Sequence, residues 1–142
     1  MWSAFDSVDR FMVTTNSFVR NDDALVMGKG IASQVRRRYP SFDLSAGRAI
    51  KYSCGHLGEY GLLLPRLDMN IGLFQVKRHF KDKADLGLIK HSVDKFTAVA
   101  RMFPLQKFAL NYPGIGNGGL NKKNVEPYIK QLPDNVFVWE KK

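Results

Sequence analysis

The residues with the clearest chemical potential in this chain are the glycines of a loop near its end. Four glycines fall within the six residues 114–119, directly after a predicted strand over 108–112. Because glycine has no Cβ, the main-chain N–H groups of such a loop approach a ligand closely, and phosphate is the usual ligand. The loop over 113–120 therefore predicts an anion-binding site at the end of a strand.

A second glycine-bearing turn lies much earlier in the chain, at Gly28, Lys29 and Gly30, and it opens a predicted helix that ends before Pro40. The first N–H groups of a helix lack intrahelical acceptors and carry a partial positive charge, so a glycine turn at that place favours an anion. Two such loops predict a ligand with two phosphates, or with a phosphate and a sugar, held between them.

Neither loop matches a common nucleotide-binding signature. The glycines of 114–119 have the wrong spacing for a dinucleotide fingerprint, and they do not follow the first strand. Lys29 is followed by Gly30, whereas a Walker loop requires Ser or Thr there. No metal site is predicted either, because the three histidines are scattered and have no cysteine partners; they are His56, His79 and His91.

The composition is that of an ordinary globular domain, with 142 residues, 44% hydrophobic and 25% charged. A chain of this length is expected to form one domain over 1–142. No apolar run approaches the roughly 20 residues of a membrane-spanning helix, and residues 1–10 lack the pattern of a signal peptide. Cys54 is the one cysteine and cannot form an internal disulfide. These features predict a cytoplasmic protein without membrane contact.

The net charge is strongly positive. Lys and Arg number 22 against 13 Asp and Glu, which gives a formal net charge of +9. A basic protein attracts anionic small molecules and polyanions such as nucleic acid. The densest cluster is Arg36-Arg37-Arg38, on the helix before Pro40, where at least one arginine is expected to be an ordinary surface residue.

Strands and helices alternate along the chain, which predicts a layered α/β sandwich. The predicted strands are 11–15, 62–64, 71–76, 108–112 and 136–139, with 62–64 and 71–76 joined as a hairpin. Residues 28–39 are predicted to form a loop that leads into a helix. Further helices are predicted over 42–53 and 86–103, the last from an apolar stripe at steps of three and four. A final helix is predicted after the glycine loop, with Asn124 as N-cap and Pro127 in its first turn.

Together these motifs resemble those of a macrodomain, the ADP-ribose-binding fold, over most of the chain. The resemblance rests on Thr14-Thr15-Asn16 after the first strand and on the loops 27–32 and 113–120. A third segment is similar to the strand-end motif of the DNA ADP-ribosyl glycohydrolases, antitoxins that reverse ADP-ribosylation of thymidine in DNA; it reads Phe74-Gln75-Val76-Lys77-Arg78-His79-Phe80. The fold that the resemblance implies is a three-layer α/β/α sandwich with a mixed central sheet.

The resemblance also implies roles for individual residues. Asn16 would orient the distal ribose, and Lys77 would be the catalytic residue that attacks its anomeric carbon. The diphosphate would be wrapped by the backbone of the first loop, at Gly28, Lys29, Gly30 and Ile31. The phosphate and the distal ribose would be covered by the second loop, at Gly114, Ile115, Gly116, Asn117 and Gly118.

The implied chemistry requires a neutral amine, whereas the pKa of a free lysine is about 10.4. Burial and the adjacent Arg78 cation are expected to lower the pKa of Lys77. The second loop carries no acid, so an acid partner for Lys77 must come from elsewhere; the candidates are His79, Asp82 and Asp85.

Two parts of the chain depart from the family pattern. The family's usual first strand, with an aspartate that reads adenine, has almost no room before Asp9, and Asp6 or Asp9 is left as a substitute. The connection 18–23 is longer than in the glycohydrolase subgroup, and it is expected to reshape the pocket or to reach a partner.

The predicted function is recognition of ADP-ribose together with its hydrolysis from a modified target, of which ADP-ribosylated DNA is one. The expected partners are ADP-ribose or an ADP-ribosylated substrate, and DNA or another nucleic acid. A monomer without cofactor or metal is expected. Three alternatives stay open: a phosphatase on ADP-ribose 1″-phosphate, a non-catalytic binder of ADP-ribose or a related signalling nucleotide, and a nucleic-acid-binding module. The last is ranked lowest because the sequence has no recognisable aromatic platform motif.

Overall fold

The computed structural model describes residues 1–140, and its centre is a five-stranded sheet in the order β2-β3-β1-β4-β5. The strands are β1 Arg10–Thr15, β2 Leu62–Leu63, β3 Ile71–Gln75, β4 Phe108–Asn111 and β5 Val136–Trp139. β1 pairs in parallel with β3 and β4, and β4 pairs in parallel with β5. β2 is antiparallel to β3, which confirms the predicted hairpin and makes the sheet mixed.

Helices cover both faces of this sheet. They are α1 Gly30–Arg38, α2 Phe42–Ser53, α3 Leu86–Met102 and α4 Lys122–Ile129. Alternate side chains of β1 point to opposite faces, so Phe11 and Val13 pack with α1 and α2 while Met12 packs with α3 and α4. Two apolar clusters, one on each face, confirm the three-layer α/β/α sandwich. No helix within residues 1–140 combines the length and the apolar character needed to cross a membrane.

The long helix α3 follows its sequence pattern closely. Ile89, Val93, Phe96 and Ala100, which lie at steps of three and four, are fully buried. Asp85 begins the helix, because its carboxylate accepts a hydrogen bond from the main-chain N–H of Leu88. The helix is thereby held behind β3 and β4, and its N-terminal end lies near the carboxyl end of β3.

The predicted start of α4 is wrong. The helix begins at Lys122, because the side chain of Asn121 accepts a hydrogen bond from the N–H of Lys123 and caps it there. Asn124 therefore lies inside the helix, and Pro127 is its sixth residue rather than part of its first turn. The proline removes the hydrogen bond to the carbonyl of Lys123. Both residues are exposed, so water can solvate that carbonyl and the cost is small.

A 3₁₀ helix, Trp2–Ser7, occupies the place before β1 where the family pattern has a strand. Trp2 stacks on Phe11, with 4.7 Å between ring centroids, and its indole N–H donates to Gln34 Oε1 at 2.6 Å. This start of the chain covers the apolar cluster beneath α1. It lies at the amino ends of the parallel strands.

Candidate functional site

A cavity of about 570 Å³ opens where β1, β3 and β4 end. The carboxyl ends of neighbouring parallel strands form the usual ligand site of an open α/β sheet. Every residue that the sequence predicts for the site lines this cavity except Gly116; the lining members are Asn16, Gly28, Lys29, Gly30, Ile31, Lys77, Gly114, Ile115, Asn117 and Gly118. The two glycine loops and the lysine segment thus meet at one place, although the specific roles of these residues stay predictions.

The first glycine loop delivers the N-terminus of α1 to the cavity. Lys29 is the N-cap residue in an extended conformation, and no side chain caps the helix. Gly30 has a φ of +60°, a left-handed conformation that glycine adopts without strain. The first-turn N–H groups of α1 therefore have no side-chain acceptor, and a helix N-terminus in that state favours an anion.

The second glycine loop closes against the first. Gly114 has a φ of +80°, which strains any larger residue, and a Cβ there would lie 2.6 Å from Ile89 Cδ1, so that side chain of α3 would have to shift. A Cβ at Gly30 would lie 3.2 Å from Asn117 Nδ2, which brings the two loops within contact distance. Gly116 is exposed, with open space around it, and does not line the cavity. Its contact with a ligand stays a prediction.

Two asparagines brace the floor of the cavity. Asn16 is only 7% exposed; its Nδ2 donates to the carbonyl of Val26 at 2.9 Å, and its Oδ1 accepts from the N–H of Phe18 at 2.8 Å. Asn111 Oδ1 accepts from the N–H of Thr14 at 2.9 Å. Asn16 therefore holds the chain between β1 and the first glycine loop, and its role toward ribose stays a prediction.

The position of Lys77 is set by the buried amide of Gln75. Gln75 Oε1 accepts hydrogen bonds from the N–H groups of Tyr60 and Gly61, at 2.8 and 3.0 Å. Its Nε2 donates to the carbonyls of Gly58 and Lys77, at 2.9 and 3.2 Å. Gln75 is fully buried, so these four bonds fix the end of β3 and the backbone from which Lys77 extends.

Lys77 is half-buried in the cavity wall, and its Nζ donates to the carbonyl of Asp82 at 3.0 Å. Partial burial lowers the pKa of Lys77, and the nearby cation of Lys29 lowers the pKa further. The carboxylate of Asp82 opposes both effects, but the net shift of the pKa is downward. The direction is the one that an amine nucleophile needs.

The predicted cause of this shift is wrong in one respect. Arg78, which the sequence places beside Lys77, does not contribute to the lowered pKa. Its guanidinium forms an ion pair with Glu59 and lies 3.8 Å from Asp85, so its charge is balanced. The cation that lowers the pKa of Lys77 is Lys29, which comes from the first glycine loop instead.

The three candidate acid partners of Lys77 lie in different places. Asp82 lines the cavity. Asp85 caps α3, where its Oδ1 accepts from the N–H of Leu88 at 3.1 Å. His79 Nδ1 accepts from the N–H of Lys81 at 3.1 Å. Asp82 is therefore the one candidate of the three that lies where a ligand would bind.

Neither Asp6 nor Asp9 reaches the cavity, so the suggested substitutes for an adenine-reading aspartate are wrong. Asp9 Oδ2 accepts from the N–H of Lys107 at 2.7 Å and joins the amino ends of β1 and β4. Asp6 belongs to the 3₁₀ helix at the same end of the sheet. Both are separated from the cavity by the length of β1.

Several residues that line the cavity have no role predicted from the sequence; they are Thr14, Thr15, Val26, Met27, Ala32, Val76, Phe80, Lys81, Asn111 and Tyr112. Asn111 and Tyr112 carried a signal, because they end the strand that leads into the second glycine loop. Phe80 ends the motif segment 74–80 and Lys81 follows it, but only the folding of the chain after β3 brings their side chains to the cavity. Among residues 1–140, no three His, Cys, Asp or Glu side chains are grouped closely enough to hold a metal ion.

Comparison with proteins of known structure identifies this arrangement. The fold superimposes on the macrodomain of Mycobacterium tuberculosis DarG with a TM-score of 0.68 and 28% identity, over 94% of this chain and 88% of that one. The chain therefore has the macrodomain fold. The Thermus aquaticus DarG macrodomain and Thermosipho africanus DarTG, solved in complex with ADP-ribose, share the fold with TM-scores of 0.67 and 0.70, each at 21% identity. The match to the T. aquaticus macrodomain covers 95% of this chain and 89% of that one. The match to T. africanus DarTG covers 94% of this chain and 38% of that one.

Two curated relatives are similar to this chain in sequence, and both have the same name. The DNA ADP-ribosyl glycohydrolases of M. tuberculosis (strain ATCC 25618 / H37Rv) and Mycobacterium bovis (strain BCG / Pasteur 1173P2) are each 30% identical to it over 138 residues. The match covers 92% of the macrodomain chain but only 39% of either relative. No family model matches the chain.

Proposed function

We propose that this macrodomain binds ADP-ribose and hydrolyses it from ADP-ribosylated DNA. The observation that carries the proposal is the position of Lys77: an amine with a lowered pKa lies in the same cavity as two loops suited to phosphate. The relatives named DNA ADP-ribosyl glycohydrolase and the neighbour solved with ADP-ribose support the choice of ligand and substrate. One domain over 1–142, a monomeric state and a cytoplasmic location remain predictions.

The diphosphate of ADP-ribose would lie between the two glycine loops. The uncapped N-terminus of α1 offers main-chain N–H groups, and Lys29 adds a cation beside them. The loop over 113–120 would close on the other side, where Asn117 already approaches Gly30. This placement directs the distal ribose toward the segment that follows β3.

The proposed reaction has two displacement steps. The neutral Nζ of Lys77 forms a bond to the anomeric carbon of the distal ribose, and the bond between that carbon and the base breaks. The electron pair leaves with the base, which then takes up a proton. Water attacks the same carbon in the second step, so that ADP-ribose is released and the lysine amine is restored.

The direct test is release of ADP-ribose from a single-stranded oligonucleotide that carries one ADP-ribosylated base. We expect multiple turnovers and an unmodified oligonucleotide as the second product. ADP-ribosylated RNA, ADP-ribosylated protein and ADP-ribose 1″-phosphate serve as competing substrates in parallel reactions. Binding of ADP-ribose without turnover of any of them would contradict the proposal and favour the non-catalytic alternative.

A further inference from the structure

Four aromatic side chains lie in contact beside Lys77, and the chemistry proposed above does not use them. The rings of His79 and Phe80 stack with 4.6 Å between their centroids. Phe18 meets both rings edge-on, with centroid distances of 4.8 and 5.0 Å, and it meets His56 in the same way at 4.7 Å. We call these four residues the aromatic cluster.

The aromatic cluster is assembled from segments that are far apart in the sequence. Phe18 comes from the long connection 18–23, and its N–H is held by Asn16 Oδ1. His79 and Phe80 lie in a turn in which the N–H of Asp82 donates to the carbonyl of His79 at 3.1 Å. Both parts are therefore anchored to the braced floor of the cavity, which gives the cluster a defined position.

The aromatic cluster lies at the partly exposed, cationic rim of the cavity rather than in a hydrophobic core. Phe18, His79 and Phe80 are each only half-buried, and Phe80 and Lys81 line the cavity. Lys81 Nζ lies 5.9 Å from the centroid of the Phe80 ring. Within residues 1–140, no carboxylate lies at ion-pair distance from Lys29, Lys81 or Lys83.

We propose that the aromatic cluster is the platform on which the ADP-ribosylated base of a single-stranded DNA stacks, with Phe80 as the principal contact. The inference rests on the proposed function, because it places the leaving group of that reaction. The base is bonded to the carbon that Lys77 attacks, on the face opposite the attacking amine, so it must occupy the same end of the cavity as Lys77. A base in that position would cover the exposed surface of the aromatic cluster with its flat ring. Every base has a face that stacks on an aromatic side chain.

The lysines complete the fit to a DNA strand. A base held on Phe80 leaves its flanking phosphates near the exposed side chains of Lys81 and Lys83. Unpaired cations beside an aromatic platform are the usual combination in proteins that bind single-stranded nucleic acid. The connection 18–23, which is expected from the sequence to reshape the pocket or to reach a partner, supplies Phe18 to this platform.

The test compares Phe80→Leu, which keeps apolar volume but removes the flat ring, with Phe80→Trp, which keeps a ring. On the ADP-ribosylated oligonucleotide we expect kcat/KM to fall by about 5- to 150-fold in Phe80→Leu and to stay near wild type in Phe80→Trp. The affinity for free ADP-ribose, measured by calorimetry, should change little in either variant. Phe103→Leu is the control, since Phe103 is an exposed phenylalanine at the far end of α3.

The possible outcomes separate this inference from the proposed function. Inactivity of the wild type on modified DNA would remove the function and the platform together. An active wild type with an equally active Phe80→Leu variant would overturn the platform alone, and so would an equal loss of affinity for free ADP-ribose. If Phe80→Leu melts below the assay temperature, Phe18→Leu provides the second variant. We expect a smaller fall in kcat/KM for Phe18→Leu, and an unchanged kcat/KM would contradict the inference.

Discussion

The Nζ of Lys77 donates a hydrogen bond to the main-chain carbonyl oxygen of Asp82, at 3.0 Å. A carbonyl oxygen accepts from an ammonium group and from a neutral amine, so this bond positions the side chain without requiring its charge. A carboxylate in the same place would favour the ammonium form strongly. Within residues 1–140 Lys77 has no ion-pair partner, so its amine is held in place while remaining free to lose its proton.

Substitution of Lys77 separates catalysis from binding. We expect both Lys77→Ala and Lys77→Arg to lower kcat on ADP-ribosylated DNA by about three orders of magnitude or more, with free ADP-ribose still bound. A guanidinium keeps the charge but stays protonated and cannot attack. Lys90→Ala, at an exposed position of α3, is the control for loss of a lysine. Full activity in Lys77→Arg would mean that the lysine acts only as a cation.

Lys29→Gln should move the pH dependence of the reaction. The Lys29 cation lowers the pKa of Lys77, so its removal raises that pKa and leaves less neutral amine at a given pH. The rise of kcat/KM with pH, which reports the free enzyme, should therefore occur at higher pH in the variant. Lys81→Gln removes another cation of the cavity and should leave the pH at which kcat/KM rises unchanged. An unchanged pH profile in Lys29→Gln would contradict the proposed coupling.

Gln75→Leu should weaken both the fold and the reaction. The substitution leaves two buried N–H groups and two carbonyls without the partners that Gln75 provides. We expect the free energy of unfolding to fall by about 2–5 kcal/mol, measured by chemical denaturation. The surviving folded protein should show a lower kcat with a nearly unchanged affinity for ADP-ribose.

Ser92→Ala provides the comparison for Gln75. It removes only the hydrogen bond from Ser92 Oγ to the carbonyl of Gln75, at 2.7 Å, and should cost about 1 kcal/mol. Equal stability losses in the two variants, or a wild-type kcat in Gln75→Leu, would show that the amide does not position Lys77.

Gly28 is the place to block the ligand without straining the backbone. It lines the cavity, and a Cβ there meets no heavy atom within 4 Å. Gly28→Ala should bind ADP-ribose nearly as wild type does, whereas Gly28→Glu should lose at least about tenfold in affinity through repulsion of the diphosphate. Gln131→Glu adds the same charge at an exposed position beyond α4 and should have no effect in calorimetry. Wild-type affinity in Gly28→Glu would place the phosphates elsewhere.

Local patterns in the sequence determined the elements and the loops of this protein. The limits of α2 and β5 follow directly from apolar spacing and from the residues that end each run, because both signals are local. The two glycine loops are equally predictable from the sequence, since a close backbone approach to a ligand needs glycine in any fold. The start of α4 differs from the predicted one because the side chain of Asn121 caps the helix, and Pro127 is accommodated further along it.

Only the tertiary structure decided which residues share the cavity. Lys29 acts on Lys77 across 47 intervening residues, Phe18 packs on Phe80, and Asp9 lies at the opposite end of β1 from the site. Such relations depend on strand order: β1 lies between β3 and β4, and this brings the segments after three strands to one edge of the sheet. Strand order arises from the packing of distant segments on a common core, which periodicity and spacing along the chain do not encode.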